Sequence, residues 1–289
     1  MAEPRPPEAT GRGRASLTLD APPNSVEEGA RRAAELAARG PSLEQLDRLA
    51  GPEPILRVDG LVAGYGRMEI LHGVDLRVGR GQALCLIGPN GAGKSTVLHA
   101  VYGFAHVIAG RIQIRGRDVT HVPPEEKLRA AGVAYVLQDD SVFRDMTVEE
   151  NLWLGGYLLD VREAKARAEA VFGRHERLRR RRRERAGTLS GGERRLLEIS
   201  RALIMDPDVL LVDEPSIGLE PRSIELVFET LHRLRQEEGK TILLVEQNAR
   251  KGLEFCDVGY VLVDGHVALA GPGGELLQHE EVGHLFLGG

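Results

Sequence analysis

A glycine-rich stretch that could hold phosphate groups runs from residue 88 to residue 96 and reads GPNGAGKST. It fits the pattern G-x-x-x-x-G-K-[ST], and it lies between an apolar run and a predicted helix, which is the context that a phosphate loop requires. Glycines let successive backbone N–H groups turn toward an anion, and the helix N-terminus adds partial positive charge. The predicted site consists of Gly88, Pro89, Asn90, Gly91, Ala92, Gly93, Lys94, Ser95 and Thr96.

Two side chains of this loop and two acids further along the chain could complete a catalytic site. Lys94 can reach the outer phosphates, and the Ser95 hydroxyl can ligate Mg²⁺. The apolar run 209–212 ends in Asp213 and Glu214. At the end of a parallel strand, Asp213 is placed to hold the metal through water, and Glu214 can orient or deprotonate the attacking water. These residues predict binding and hydrolysis of a nucleoside triphosphate with Mg²⁺.

The elements that must position these residues alternate between buried strands and helices. Strands are predicted at 83–88, 209–212 and 241–245, and helices at 94–103, 190–205 and 221–237. This alternation predicts an α/β fold with a parallel sheet. Antiparallel strands are predicted after residue 54, and 259–269 predicts a closing hairpin with its turn at Asp264-Gly265. A helical segment is predicted over about 139–187, opening with Thr147 and Glu150 at capping-box spacing.

Composition excludes several classes of protein. The 289 residues carry a net charge of −5 with both signs plentiful, so no basic field is available for nucleic acid, and no nucleic-acid partner is expected. The two cysteines, Cys85 and Cys256, lack the spacing of a metal or redox site. No apolar run approaches the roughly 20 residues of a membrane span, and the start of the chain does not read as a signal peptide, so we expect a cytoplasmic protein.

Residues 1–52 differ in composition from the rest of the chain. They are rich in Pro, Ala, Arg and Glu, which predicts a disordered or partly helical extension. Disorder is predicted for 1–24, and a short amphipathic helix for 25–40. The extension is either a solvated tail without function or a docking or membrane-surface helix, although an apolar face made mostly of alanine binds weakly.

A further stretch, LSGGERRLLEISRAL at 189–203, resembles the signature of ATP-binding cassette (ABC) ATPases. Ser190, Gly191 and Gly192 at a helix start form a second anion site. If the two anion sites lie far apart, one chain cannot point both at the same phosphate, whereas a head-to-tail dimer can. The resemblance therefore implies that each ATP lies between the phosphate loop of one subunit and the signature of another.

Other positions carry the same resemblance, which covers residues 54–289. Tyr65 stands where the family stacks an aromatic ring on adenine, and Gln138 where its glutamine contacts Mg²⁺ and water and couples to the membrane subunit. Residues 216–221, SIGLEP, resemble the loop after the acidic pair, with Glu220 in place of the common aspartate. The resemblance implies a P-loop NTPase of ABC ATPase type. Its parallel-sheet core carries an antiparallel β subdomain and an inserted helical subdomain, and the ATPase drives a membrane permease.

One position departs from the family. After the third buried strand, the family has a histidine that contacts the γ-phosphate, and this chain has Gln247. Glutamine donates a hydrogen bond but carries no charge, so loss of a charge-assisted contact costs about 1–3 kcal/mol, or roughly 5- to 150-fold in rate. The alternative is a shifted register without a switch residue, but His232 and His266 lie too far along the chain to serve.

This departure, together with the MTVEENL, RAGTLSGGE and PSIGLEP segments and the terminal HLFLGG, resembles the ATPases of branched-chain amino acid importers. Those importers use two different ATPase subunits, so the resemblance implies a heterodimer whose partner carries the histidine. It also implies permease subunits, a solute-binding protein and a peripheral position on the cytoplasmic face of the membrane. Gln138 departs from the acidic residue frequent in this group. Rival readings are an ATPase for urea, amides or lipids, a non-transport ABC ATPase, and a regulator without turnover.

The most basic stretch is RHERLRRRRRERAG at 174–187. Its composition favours a solvated helix in front of the signature. A patch facing anionic lipid is the second interpretation, and nucleic-acid binding is the third, since no aromatic residues interleave with the arginines.

Overall fold

The structure is a computed structural model that describes residues 40–138 and 141–286. The predictions of disorder at 1–24 and of a helix at 25–40 therefore lie outside the described residues, apart from residue 40 itself. None of the helices in the described ranges has the length and apolarity needed to cross a bilayer.

The strands of the described chain form two sheets. They are β1 (Pro54–Tyr65), β2 (Met68–Gly79), β3 (Ala83–Ile87), β4 (His106–Ile114), β5 (Arg117–Asp118), β6 (Val133–Val136), β7 (Val209–Asp213), β8 (Thr241–Val245), β9 (Val258–Val263) and β10 (His266–Pro272). The first sheet has the order β2-β1-β4-β5, and all of its pairs are antiparallel. The second has the order β10-β9-β3-β8-β7-β6, and it is parallel except for β10.

Helices connect and cover these strands. They are α1 (Leu43–Ala50), α2 (Lys94–Tyr102), α3 (Pro124–Ala131), α4 (Val148–Gly155), α5 (Val161–Arg174), α6 (Glu176–Arg180), α7 (Gly191–Leu203), α8 (Pro221–Gln236), α9 (Ala249–Phe255), α10 (Gly273–Leu276) and α11 (Glu280–Phe286), and a 3₁₀ turn lies at Ala186–Thr188. The predicted α/β fold with its antiparallel and helical parts is confirmed.

The parallel sheet is buried on both faces, as its continuous apolar runs predict. Every residue of β3, β7 and β8 is buried. One face packs with the antiparallel sheet and α2, and the other packs against α7, α8 and α9. Because parallel strands point the same way, the residues that follow β3, β7 and β8 meet at one edge of the sheet.

The helical segment has its own small core. Its members are Val142, Val148, Leu152, Ala168, Val171, Phe172, Leu178, Ala186, Leu189, Leu196, Leu197 and Ile204. The predicted capping box is present, since Thr147 and Glu150 exchange side-chain to backbone hydrogen bonds at the start of α4. α7 packs on both α4 and the sheet, so it joins the helical segment to the core.

Helix α1 lies inside the predicted N-terminal extension and packs onto the core. Leu46 is fully buried, and Asp47 receives a hydrogen bond from Nε of Arg77, whose side chain is also fully buried, at 3.0 Å. Gln45 Nε2 donates to the carbonyl of Ala270 on β10, whereas Arg77 lies on β2. The helix therefore contacts both sheets. The division of the chain at residue 52 stays a prediction.

The basic stretch is not one helix. α5 ends at Arg174, α6 spans only Glu176–Arg180, and turns follow. Several of its arginines pair with glutamates: Arg179 and Arg180 with Glu176, Arg181 with Glu184 and Glu193, and Arg182 with Glu149 and Glu169. The prediction of a single solvated helix is wrong, because α6 is short and the turns that follow it place these arginines against neighbouring acids. The stretch lies in front of α7, as predicted.

Candidate functional site

The phosphate loop connects β3 to α2 and has a backbone that only glycine adopts easily. Gly88 has φ 151°, and a Cβ placed there would lie 2.1 Å from the carbonyl oxygen of Leu262. Gly93 has φ 97°, and its Cβ would lie 2.8 Å from Leu71 Cδ2. The chain therefore has glycine where backbone N–H groups must turn toward a common centre, which fits a phosphate group.

Lys94 begins α2 and directs its amine back into this loop. The residue is 5% exposed, and Nζ donates to the carbonyls of Gly88 and Pro89, both at 3.0 Å. Burial lowers the pKa of Lys94, and the nearby charges of Glu214 and Asp213 oppose that effect. Neutral carbonyls thus hold the amine at the loop. A phosphate oxygen bound there would be a stronger hydrogen-bond partner for this cation.

Asp213 ends β7 next to the start of α2. It is 2% exposed, and Ser95 Oγ donates a hydrogen bond to its Oδ1 at 3.0 Å. Burial raises the pKa of Asp213, whereas hydrogen bonds from Tyr135 and Ser95 lower it. A hydroxyl and a carboxylate side by side near a phosphate loop are oxygen donors that suit Mg²⁺. The described residues contain no cluster of three or more His, Cys, Asp or Glu side chains that could hold a metal by themselves.

Glu214 leaves the sheet in a conformation rare for a non-glycine residue, with φ 40°. Its N–H donates to the carbonyl of Val245 at 2.9 Å, which fixes the turn against β8. Gln138 Nε2 donates to Glu214 Oε2 at 3.1 Å, so two predicted site residues from different loops meet. Burial raises the pKa of Glu214, and the charge of Asp213 raises it further. A raised pKa suits a group that must take up a proton.

Tyr65, the predicted adenine-stacking residue, ends β1 and is 43% exposed. Its hydroxyl forms a short hydrogen bond with His99 Nδ1 on α2. The ring of His99 in turn contacts the rings of Phe104 and Tyr135, whose centroids each lie 5.8 Å from the His99 centroid. An exposed ring fixed beside the phosphate loop can present its face to a nucleotide base.

The signature residues form the N-terminus of α7. Ser190 caps the helix in a capping box with Glu193. Gly192 is needed for packing, because a Cβ there would lie 2.5 Å from Ser223 Oγ on α8. No hydrogen bond within 40–138 and 141–286 joins Ser190, Gly191 or Gly192 to the loop at 88–96.

The three polar residues after β8 have separate roles in the structure. Glu246 is 1% exposed and accepts from the N–H groups of Ser216 at 3.2 Å and Asn248 at 3.0 Å. Asn248 caps α9 through Lys251 N–H. Gln247 between them is exposed. Glu246 therefore ties the loop after Asp213 and Glu214 to the loop that carries Gln247.

Sequence reasoning missed three residues of this site. Tyr135 donates its hydroxyl hydrogen to Asp213 Oδ2 at 3.0 Å, His99 holds Tyr65, and Glu246 joins two loops. Burial raises the pKa of Tyr135, so its hydroxyl remains a donor. Only Glu246 had a signal in the sequence, as an acidic residue directly after the apolar run 241–245, whereas Tyr135 lies inside β6 and His99 in the middle of α2.

A family model described as ABC transporter matches residues 71–217, a span that contains the phosphate loop, the signature and the acidic pair. The chain belongs to the ABC transporter ATP-binding family. Binding of adenine nucleotide and hydrolysis of ATP are the properties of this family, and the predicted ATPase activity is confirmed.

Relatives of this ABC ATPase carry names of more than one transport process. It is 41% identical to a probable branched-chain amino acid transport ATP-binding protein of Archaeoglobus fulgidus, over 81% of this chain and 99% of the relative. It is 40% identical to the high-affinity branched-chain amino acid transport ATP-binding protein of Pseudomonas aeruginosa, over 81% and 100%. It is 35% identical to the lipopolysaccharide export system ATP-binding protein of Acidithiobacillus ferridurans, over 81% and 97%.

A solved structure supports the fold. The ADP conformation of an ATP-binding cassette of an ABC transporter matches with a TM-score of 0.72 and 28% identity, covering 82% of this chain and all of the other.

Proposed function

We propose that this ABC ATPase drives the import of branched-chain amino acids through a separate membrane permease. The observation that carries the proposal is the identity of about 40% with two ATPases named for branched-chain amino acid transport, over nearly their whole length. Gln247, at the place where the family has a histidine, is part of the resemblance to that group and supports the same cargo.

The roles of the site residues are part of the proposal. Gly88 to Thr96 bind the phosphates through backbone N–H groups, and Lys94 binds the outer phosphates. Ser95, Asp213 and Gln138 hold Mg²⁺, which when bound neutralises phosphate charge. Glu214 accepts a proton from the attacking water, and Tyr65 stacks on adenine. Support comes from the hydrogen bonds that join Ser95 to Asp213 and Gln138 to Glu214.

The chain is proposed to act in a head-to-tail heterodimer. No hydrogen bond among the described residues joins Ser190, Gly191 or Gly192 to the phosphate loop of their own chain, which leaves them available to a nucleotide held by a partner ATPase. Gln247 is exposed and carries no charge. A partner with histidine at that position therefore supplies the stronger of the two hydrolysis sites.

The proposed permease contact is a groove of about 250 Å³ between the helical segment and the sheet. Phe143 and Tyr157 line it and are 53% and 62% exposed. Exposed aromatic rings beside the loop of Gln138 suit a helix of a membrane subunit. The ATPase would then lie peripherally on the cytoplasmic face of the membrane, and a solute-binding protein would deliver the cargo on the other side.

The experiment is uptake of labelled leucine by cells that carry the wild-type chain or Lys94→Ala, with ATP hydrolysis measured on the purified complex. Lys251→Ala, an exposed lysine on α9, is the matched control. Loss of uptake in Lys94→Ala alone supports the proposal. Unchanged leucine uptake together with lost hydrolysis means that the cargo is a different solute.

A second candidate is export of lipopolysaccharide, since 35% identity links the chain to an ATPase of that system. The same variants distinguish the two candidates. If Lys94→Ala cells fail to export lipopolysaccharide and accumulate it, while their leucine uptake stays normal, the result supports the second candidate.

A further inference from the structure

Tyr135 lies beside Asp213, the carboxylate proposed to hold the metal, because of the register of two strands. In the parallel pair of β6 and β7, Tyr135 is opposite Leu211. Asp213 is two residues beyond Leu211, so it lies on the same face of the sheet and diagonally across from Tyr135. Diagonal neighbours are within reach of an aromatic side chain. The hydroxyl accordingly donates to Asp213 Oδ2 at 3.0 Å.

The two oxygens of Asp213 are held by different kinds of partner. Oδ1 accepts from Ser95 Oγ at 3.0 Å, and Oδ2 accepts from Tyr135. Ser95 is itself a proposed metal ligand, so its hydroxyl oxygen is needed by the metal. Tyr135 is not a proposed metal ligand, so its hydrogen bond to Asp213 can stay in place when the metal is bound. It then fixes the plane of the carboxylate, as outer partners of metal ligands commonly do.

The ring of Tyr135 is held so that its hydroxyl has little freedom. Its centroid lies 5.4 Å from that of Tyr102 and 6.0 Å from that of Phe104. The phenylalanine analogue would keep these ring contacts and lose only the hydroxyl. Tyr102 belongs to the same cluster, and no hydrogen bond from its hydroxyl to Asp213 is found among the described residues, so it offers a matched comparison.

We propose that Tyr135 is a positioning residue, whose hydroxyl orients Asp213 for binding of the divalent cation that accompanies the nucleotide. The inference rests on the proposed role of Asp213 in metal binding. Tyr135 does not touch the metal or the phosphates, and it acts through Asp213 alone. Its removal should therefore change the dependence on Mg²⁺ more than the affinity for nucleotide.

The test is a Mg²⁺ titration of binding of a fluorescent ATP analogue to the full chain in a Glu214→Gln background, which limits turnover. Tyr135→Phe should raise the half-saturating Mg²⁺ concentration about 10- to 100-fold, the typical effect of losing an outer partner of a metal ligand. Tyr102→Phe should stay within about 2-fold of the parent. Binding of the analogue in EDTA should be the same in all three proteins.

Two outcomes would overturn the inference. A Mg²⁺ dependence in Tyr135→Phe equal to that of the parent shows that the hydroxyl does not orient Asp213. An equal loss of binding in EDTA and in Mg²⁺ shows that Tyr135 only maintains the pocket. Asp213→Asn separates this inference from the proposed function, because an unchanged Mg²⁺ dependence in that variant refutes the metal role of Asp213 itself.

Discussion

Glu246→Ala should destabilise the protein, because Glu246 is a buried acceptor for two backbone N–H groups. The side chain is 1% exposed, and its two oxygens accept from Ser216 and Asn248. Each hydrogen bond to a charged group contributes about 1.5–3 kcal/mol, and the cost of burying the carboxylate offsets part of the sum. The expected net loss is about 2–4 kcal/mol, which corresponds to a fall in Tm of roughly 4–16 °C for a domain of this size.

The assay is urea unfolding and thermal melting of Glu246→Ala and Glu246→Gln. The glutamine keeps one acceptor and removes the buried charge, so it should cost about 1 kcal/mol. Because the two bonds tie the loop after Glu214 to the loop of Gln247, the alanine variant should also lose ATPase activity. Equal stability of wild type and Glu246→Ala, or equal losses in both variants, would refute the reasoning.

The same side chain predicts a pH dependence. Burial raises the pKa of Glu246 above its usual value near 4.5. Between the usual and the raised value, the native state holds a proton that the unfolded chain has lost. The free energy of unfolding should therefore fall as pH rises through this window, and Glu246→Gln should lack that part of the slope.

Gln247→His is expected to raise the ATPase rate of the assembled transporter by roughly 5- to 150-fold, since a charged imidazole restores a charge-assisted contact; a flat or lower rate contradicts this. Glu214→Gln should lower kcat about 100-fold or more with ATP binding retained, and turnover close to wild type would exclude Glu214 as the base. Arg181→Gln should weaken ATP-dependent dimerisation several-fold, as measured by light scattering. Arg181 pairs with the carboxylate of Glu193 beside the signature, so its loss leaves an unpaired negative charge next to the proposed phosphate site. Arg180→Gln, which loses a pair with Glu176 on its own helix, is the control and should dimerise normally.

The core of the fold could be predicted because its signals are local. β3, β7 and β8 are short continuous apolar runs. Such a run is by itself the sequence pattern of a strand buried on both faces. The phosphate loop is a contiguous motif, and the capping box at Thr147 depends on residues three apart. In each case the pattern that predicts the element lies in residues close together in the chain.

The remaining elements depend on distant contacts. β4 was missed because only three of its nine residues are buried, and it exists through pairing with β1. The bond of Tyr135 to Asp213 depends on the register of two strands, across 78 positions of sequence. Glu246 reaches Ser216 across 30 positions. A single sequence contains no record of such pairings.

Helix α1 has a consequence for how this protein tolerates change. It precedes the family-matched span 71–217, yet Leu46 and the Asp47–Arg77 pair attach it to β2, and Gln45 attaches it to β10. Substitutions in this helix would leave ATP chemistry intact and lower the fraction of folded chains. In a cell they would act through abundance, because misfolded copies are degraded before a transporter assembles.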